Sequence, residues 1–72
     1  MEQFSEKLKQ LRKQSKSTQV DMAKLLECTE QHYQRIEYGK VNIPTLTLIQ
    51  LCNYFNVSAD YLLGLSDNPK RQ

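Results

Sequence analysis

Seventy-two residues suffice for one small domain, 1–72, and a core of that size rarely supplies more than about 3–5 kcal/mol unaided. Two cysteines are too few for a disulfide framework. No apolar run reaches the ~18 residues of a membrane span, and the N-terminal MEQFSEKLKQ has no apolar signal segment. The net charge of +2 falls short of the strongly basic balance of a non-specific nucleic-acid binder, so where the charges lie matters more than their sum.

Residues 2–14 are predicted as a first helix, with Phe4, Leu8 and Leu11 at i, i+4, i+7 forming one apolar stripe. Lys7, Lys9, Arg12, Lys13 and Lys16 crowd this helix and its exit. After the turn Ser15, Lys16 and Ser17, Thr18 suits the N-cap of a second helix. Asp21, three residues on, comes close to a capping box, where Glu or Gln is usual. Met22, Ala23 and Leu26 share a face, and the small Ala23 lets a neighbouring helix cross closely. Glu27 and Cys28 interrupt the run. Thr29 can cap a third helix, with Cys28 and Tyr33 at the spacing of a hydrophobic staple, and Gly39 supplies its left-handed stop.

Beyond a loop at 40–43, Pro44 suits the first turn of a fourth helix. Leu48, Leu51, Cys52 and Phe55 mark that helix at i, i+3, i+4, i+7, and Asn56 is its exit. Ser58 caps a fifth, with Val57 and Leu62 at staple spacing and Gly64 at the end. Residues 65–72, LSDNPKRQ, read as a flexible C-terminal tail. No strand pattern, repeat or low-complexity segment interrupts this all-α reading. Cys28 and Cys52 take apolar positions as reduced thiols, which fits a cytoplasmic protein.

The third helix carries the functional argument. At about 100° per residue, Tyr33 and Ile36 lie within about 60° of each other and define an inner face. Gln31, Gln34, Arg35 and Tyr38 fall opposite, with Glu30 and His32 at the edges. A solvated polar face is the bland reading of such a helix. The alternative is base reading: Gln pairs with adenine and Arg with guanine in the major groove. The turn, the caps and the preceding helix favour the second, because a helix-turn-helix sets its second helix in the groove and its first across the backbone.

The string T-Q-x-x-x-A-x-x-L-x-x-T-x-x-x-Y-x-x-I-E-x-G-K from Thr18 resembles the Cro/CI-type, Xre-like helix-turn-helix family. So do the N-I-P from Asn42 and the T-L-I-x-L-x-x-Y-F-N-V-S-x-D-Y-L-L-G from Thr47. The likeness runs over 8–64, with the helix-turn-helix at 18–38. It implies a compact five-helix, lambda-repressor-like DNA-binding domain that binds double-stranded operator DNA as a symmetric homodimer. Residue by residue, it implies that Glu30, Gln31, Gln34 and Arg35 read bases. It places Gln19 on a phosphate while leaning on the recognition helix, and Tyr38, Lys40 and Asn42 on the backbone beyond that helix. Thr18 and His32, at the starts of the two motif helices, join the phosphate contacts, since helix N-termini favour anions. Arg12 and Glu37 match an internal salt bridge. Lys16-Ser17 stands where the family often has Gly and an apolar residue, and Glu27 stands where it usually has Gly. A non-Gly residue in the left-handed region costs roughly 1–2 kcal/mol.

Other chemistries find less support. Cys28, His32 and Cys52 are the only soft ligands, too few for a closed structural zinc site, so no metal and no cofactor is expected. The sequence has no Gly-rich phosphate loop and no nucleophile motif, so no catalytic residue is assigned. Single-stranded RNA readers stack bases on sheet aromatics, whereas Phe4, Tyr33 and Phe55 suit a core. An antitoxin-like or partner-binding module of the same fold is the alternative reading. No small-molecule ligand or membrane partner is expected. Leu46, Tyr54, Tyr61 and Leu65, apolar or aromatic and poorly suited to the core stripe, are the candidates for a dimer patch.

Overall fold

Five helices follow one another in the computed structural model, which describes residues 2–71. They are α1 (Glu2–Gln14), α2 (Gln19–Leu25), α3 (Glu30–Glu37), α4 (Thr45–Phe55) and α5 (Ala59–Leu62), with no strand among the described residues. Met1 and Gln72, which the expected domain and tail include, lie outside the described residues.

Short polar side chains start these helices. The Thr18 hydroxyl accepts from the Asp21 N–H at 3.0 Å while the Asp21 carboxylate accepts from the Thr18 N–H at 2.8 Å. The capping box is therefore complete, with aspartate doing what glutamate usually does. Thr29 accepts from the His32 N–H and Ser58 from the Tyr61 N–H, each at 3.1 Å. Pro44 stands at the N-cap of α4, one residue before the first turn, because its ψ of 148° is extended although its ring fixes a helical φ.

Every helix ends on a left-handed residue: Lys16, Glu27, Gly39, Asn56 and Gly64. At the end of α2, the Glu27 N–H returns to the Lys24 carbonyl and the Cys28 N–H to the Ala23 carbonyl. The same paired bonds close α1, α3 and α5, so each exit is a Schellman motif that satisfies the last carbonyls. The position at which the family usually has glycine keeps its conformation here with glutamate, at φ 55°.

The apolar stripes meet in one core: Phe4 and Leu8 from α1, Met22 and Ala23 from α2, Tyr33 and Ile36 from α3, Leu51 and Cys52 from α4, with Val57 and Leu62. Leu11, Leu26, Leu48 and Phe55 share those stripes but are only partly buried at its margin. They lie at helix ends or at the edge of a stripe, where a domain this small runs out of covering layers. Val57, expected only as a staple, is fully inside. Residues 65–71 run back along the molecule, with the Ser58 N–H bonded to the Pro69 carbonyl at 3.0 Å and Arg71 to Asn53 at 2.6 Å. The radius of gyration is 11.1 Å, against about 11 Å expected for a compact chain of this length. Among the described residues, no helix is long and apolar enough to cross a membrane.

Candidate nucleic-acid interface

Helix α3 is seated by its own alternation of residues. Tyr33, Ile36 and Glu37 point inward and are buried, whereas Glu30, Gln31, His32 and Arg35 are exposed and Gln34 is half-covered. Its most extensive packing is against α2, and it also rests on α1. The small Ala23 lies buried on α2.

The buried Glu37 carboxylate ties the three helices together. Arg12 of α1 donates from Nε to Oε1 at 2.6 Å and from Nη2 to Oε2 at 3.5 Å. The Tyr33 hydroxyl donates to Oε1 at 3.0 Å, and the Gln19 side-chain nitrogen to Oε2 at 2.8 Å. Arg12 also reaches the Ser17 carbonyl in the turn before α2 at 3.1 Å. A carboxylate taken from water without partners would be costly, and this one has four donor contacts. Burial pushes the Glu37 carboxyl upward, but the hydrogen bonds from Arg12, Gln19 and Tyr33 and the Arg12 charge outweigh it, leaving it below the ordinary range. The bond to Glu37 in turn holds the Arg12 guanidinium above its ordinary value against partial burial. Burial, then the adjacent Glu37 charge, drives the Tyr33 phenol well upward, so that it stays a donor.

From Glu37 the network continues outward. The Gln19 nitrogen also approaches the Tyr38 hydroxyl at 3.3 Å, and the Gln19 carbonyl oxygen accepts from the Gln34 side-chain nitrogen at 3.1 Å. That nitrogen lies 3.5 Å from a Glu30 carboxylate oxygen. Gln19, Gln34, Glu30 and Tyr38 thus form one cluster across the α2–α3 crossing, while Gln31 and Arg35 stand apart on the exposed side.

The residues considered for phosphate contact ring this face. Thr18 and His32 occupy the first turns of α2 and α3, and Tyr38, Lys40 and Asn42 are exposed beyond the end of α3. An open groove of about 490 Å³ runs between the end of α1 and the start of α2, bordered by Lys9, Lys13, Thr18, Gln19, Glu30 and Tyr38. Lys9 and Lys13 did not stand out as site residues. Their i, i+4 spacing was the available signal, but only the fold brings that edge of α1 beside the N-terminus of α2.

Of the residues considered for a dimer patch, Leu46 and Leu65 are 76% and 75% exposed, and Ile49 joins them as an exposed apolar side chain. Tyr54 is exposed too, but its hydroxyl bonds Ser17 at 2.9 Å. Tyr61 is partly buried, with the Lys7 ammonium 4.4 Å over its ring. Cys28 and Cys52 are free thiols, and burial pushes both upward, away from the thiolate form that nucleophiles need.

Comparison with known proteins agrees with this architecture. A family profile described as helix-turn-helix matches residues 8–62. The chain is 45% identical over 67 residues to the uncharacterized HTH-type transcriptional regulator YqaE of Bacillus subtilis, covering 93% of this chain and 58% of that protein. It is 40% identical over 60 residues to the SPbeta prophage-derived uncharacterized HTH-type transcriptional regulator YonR of the same organism, covering 83% of this chain and 56% of that one. The chain therefore spans somewhat over half the length of the curated relatives it matches. The profile match over three quarters of the chain, the relatives' identity and the five capped helices lead to one assignment: this chain belongs to the Cro/CI-type helix-turn-helix family of transcriptional regulators, with the all-α lambda-repressor-like fold.

Proposed function

We propose that this chain binds double-stranded DNA in a sequence-specific manner as a cytoplasmic homodimer on a palindromic operator, and represses transcription by occluding a promoter. The observation that carries the reading is the seating of α3: Tyr33 and Ile36 are buried while Gln31 and Arg35 stand exposed. In this reading α3 enters the major groove, with Glu30, Gln31, Gln34 and Arg35 meeting base edges. The first turns of α2 and α3 and residues Tyr38, Lys40 and Asn42 hold phosphates and fix register. The Arg12–Glu37 pair, bound also to Tyr33 and Gln19, keeps α3 at a constant angle to α1 and α2. One such domain reads only a few base pairs, so two copies are expected on half-sites about one helical turn apart.

Selection of duplexes from a random pool, followed by titration across a salt series, tests the proposal. Specific binding predicts an enriched inverted repeat, about 10³-fold or greater preference over random DNA, and a steep fall of affinity with salt. Arg35→Ala should weaken binding by about 1–3 kcal/mol and relax preference at one base pair while thermal stability barely moves. Unchanged sequence preference in Arg35→Ala would place the reading face elsewhere.

A further inference from the structure

A glutamine can serve DNA in two ways, since its amide carries a donor and an acceptor, and which end faces the groove decides which base edge it reads. At Gln34 the choice is made inside the protein. The Glu37 carboxylate, charged and buried, can only accept, so the end of the Gln19 amide 2.8 Å from it must be nitrogen. The Gln19 carbonyl oxygen then faces Gln34, and the end of the Gln34 amide 3.1 Å from it must also be nitrogen. The second hydrogen of that nitrogen lies toward the Glu30 carboxylate, at a longer 3.5 Å. Both donors of Gln34 have acceptors on the protein, and its carbonyl oxygen retains the capacity to bond. Glu30 beside it is exposed and acceptor-only. The paired hydrogen bonds by which glutamine grips adenine need a free N–H as well as the oxygen, and here one N–H is bonded to Gln19 and the other faces the Glu30 carboxylate.

We infer that Glu37, acting through Gln19 as a positioning residue, sets the polarity of the Gln34 amide. This corner of α3 then presents acceptors and selects a base whose exocyclic amino group lies in the major groove, adenine or cytosine, over guanine or thymine. The inference rests on the DNA-reading proposal above and deepens it by naming the class of base edge.

Two measurements on the full chain test it. The first needs no DNA: in the free protein, side-chain amide NMR should show slowed hydrogen exchange at Gln34 that becomes solvent-like in Gln19→Met. Fast exchange in the parent protein would remove the relay. The second uses an enriched duplex with each of the four base pairs placed in turn at the position whose preference Gln34→Ala abolishes. The parent should bind adenine and cytosine there about tenfold more tightly than guanine or thymine. Gln19→Met, checked for folding by its melting curve, should level that ratio while weakening all four. In Glu30→Ala, which removes the acceptor facing the second N–H of Gln34, adenine should gain over cytosine, because that N–H is released. Preference of the parent for guanine or thymine, or strict preference for adenine over cytosine, would overturn the inference while leaving the DNA-reading proposal intact. Failure to enrich any sequence would overturn that proposal and this inference together, even with the amide relay present.

Discussion

At Glu27 the backbone takes φ 55° with a side chain attached. The left-handed conformation costs a non-glycine residue about 1–2 kcal/mol, whereas glycine gives back roughly 0.5–1 kcal/mol through its extra freedom when unfolded. The first figure is larger, so Glu27→Gly should stabilise the protein by about 0.5–1 kcal/mol in urea denaturation. Asn56, also left-handed, is a residue type that tolerates this region, so Asn56→Gly should give less. Equal gains at the two positions would mean that strain is not what distinguishes them.

Glu37 supplies the other argument at this scale. Its folded pKa lies below the ordinary 4.5, so the carboxylate contributes stability that is fully present above about pH 4.5 and is lost as pH falls through the folded value. The melting temperature of the parent should therefore decline on acidification below that pH. Glu37→Gln should start lower, since Arg12 loses its charged partner, and decline less steeply. Asp21 is also held low, mainly by the Thr18 N–H and then by the Thr18 hydroxyl, and would account for acid sensitivity remaining in the variant. Identical slopes in the two proteins would show that the loss comes from elsewhere.

Among the elements, helix ends do as much as helix faces. Gly64 closes α5 at φ +80°, and a Cβ there would stand 2.5 Å from the Gln3 side-chain oxygen and 2.7 Å from the Gln3 Cβ. The oxygen can swing away, but a Cβ moves only with its helix. Gly64→Ala combines that clash with the left-handed penalty and should cost more than the roughly 1–2 kcal/mol of the conformation alone, measurable as a lowered urea midpoint. A neutral result would mean that α1 and α5 are loosely joined. The bounds of these elements were legible because caps and stops are local: Thr18, Thr29, Ser58, Gly39 and Gly64 each act within a few residues of where they stand. The exposed flank of α3 was legible from the 100° spacing for the same reason. The α2–α3 crossing was not, because spacing along one helix says nothing about the angle at which another meets it. Gln34 therefore read as one more outward residue, and its bond to Gln19 emerged only in three dimensions. The depth of Val57 and the shallowness of Leu11 and Leu48 likewise depend on how far neighbouring helices extend over them.

For the whole molecule, association depends on the area two copies can cover. A standard interface removes about 800 Å² from each partner, roughly a sixth of this chain's 5002 Å² surface. Leu46, Ile49 and Leu65 are the exposed aliphatic side chains at the α4 and C-terminal side, and as single side chains they would be unremarkable on a monomer. We propose them as the seam of the dimer, whereas Tyr61 is already partly buried, with the Lys7 ammonium over its ring. Leu46→Glu puts a charge at a site 76% exposed in the free chain, so folding should be unaffected while a like-charge pair opposes association across a two-fold axis. Equilibrium sedimentation should show the parent passing from monomer to dimer with concentration and the variant remaining monomeric. Affinity for an inverted repeat should fall sharply in the variant, while affinity for a single half-site stays the same, because only the first requires both copies together. A parent that stays monomeric at high concentration and binds the repeat as independent single copies would move the two-fold contact from the protein to the DNA alone.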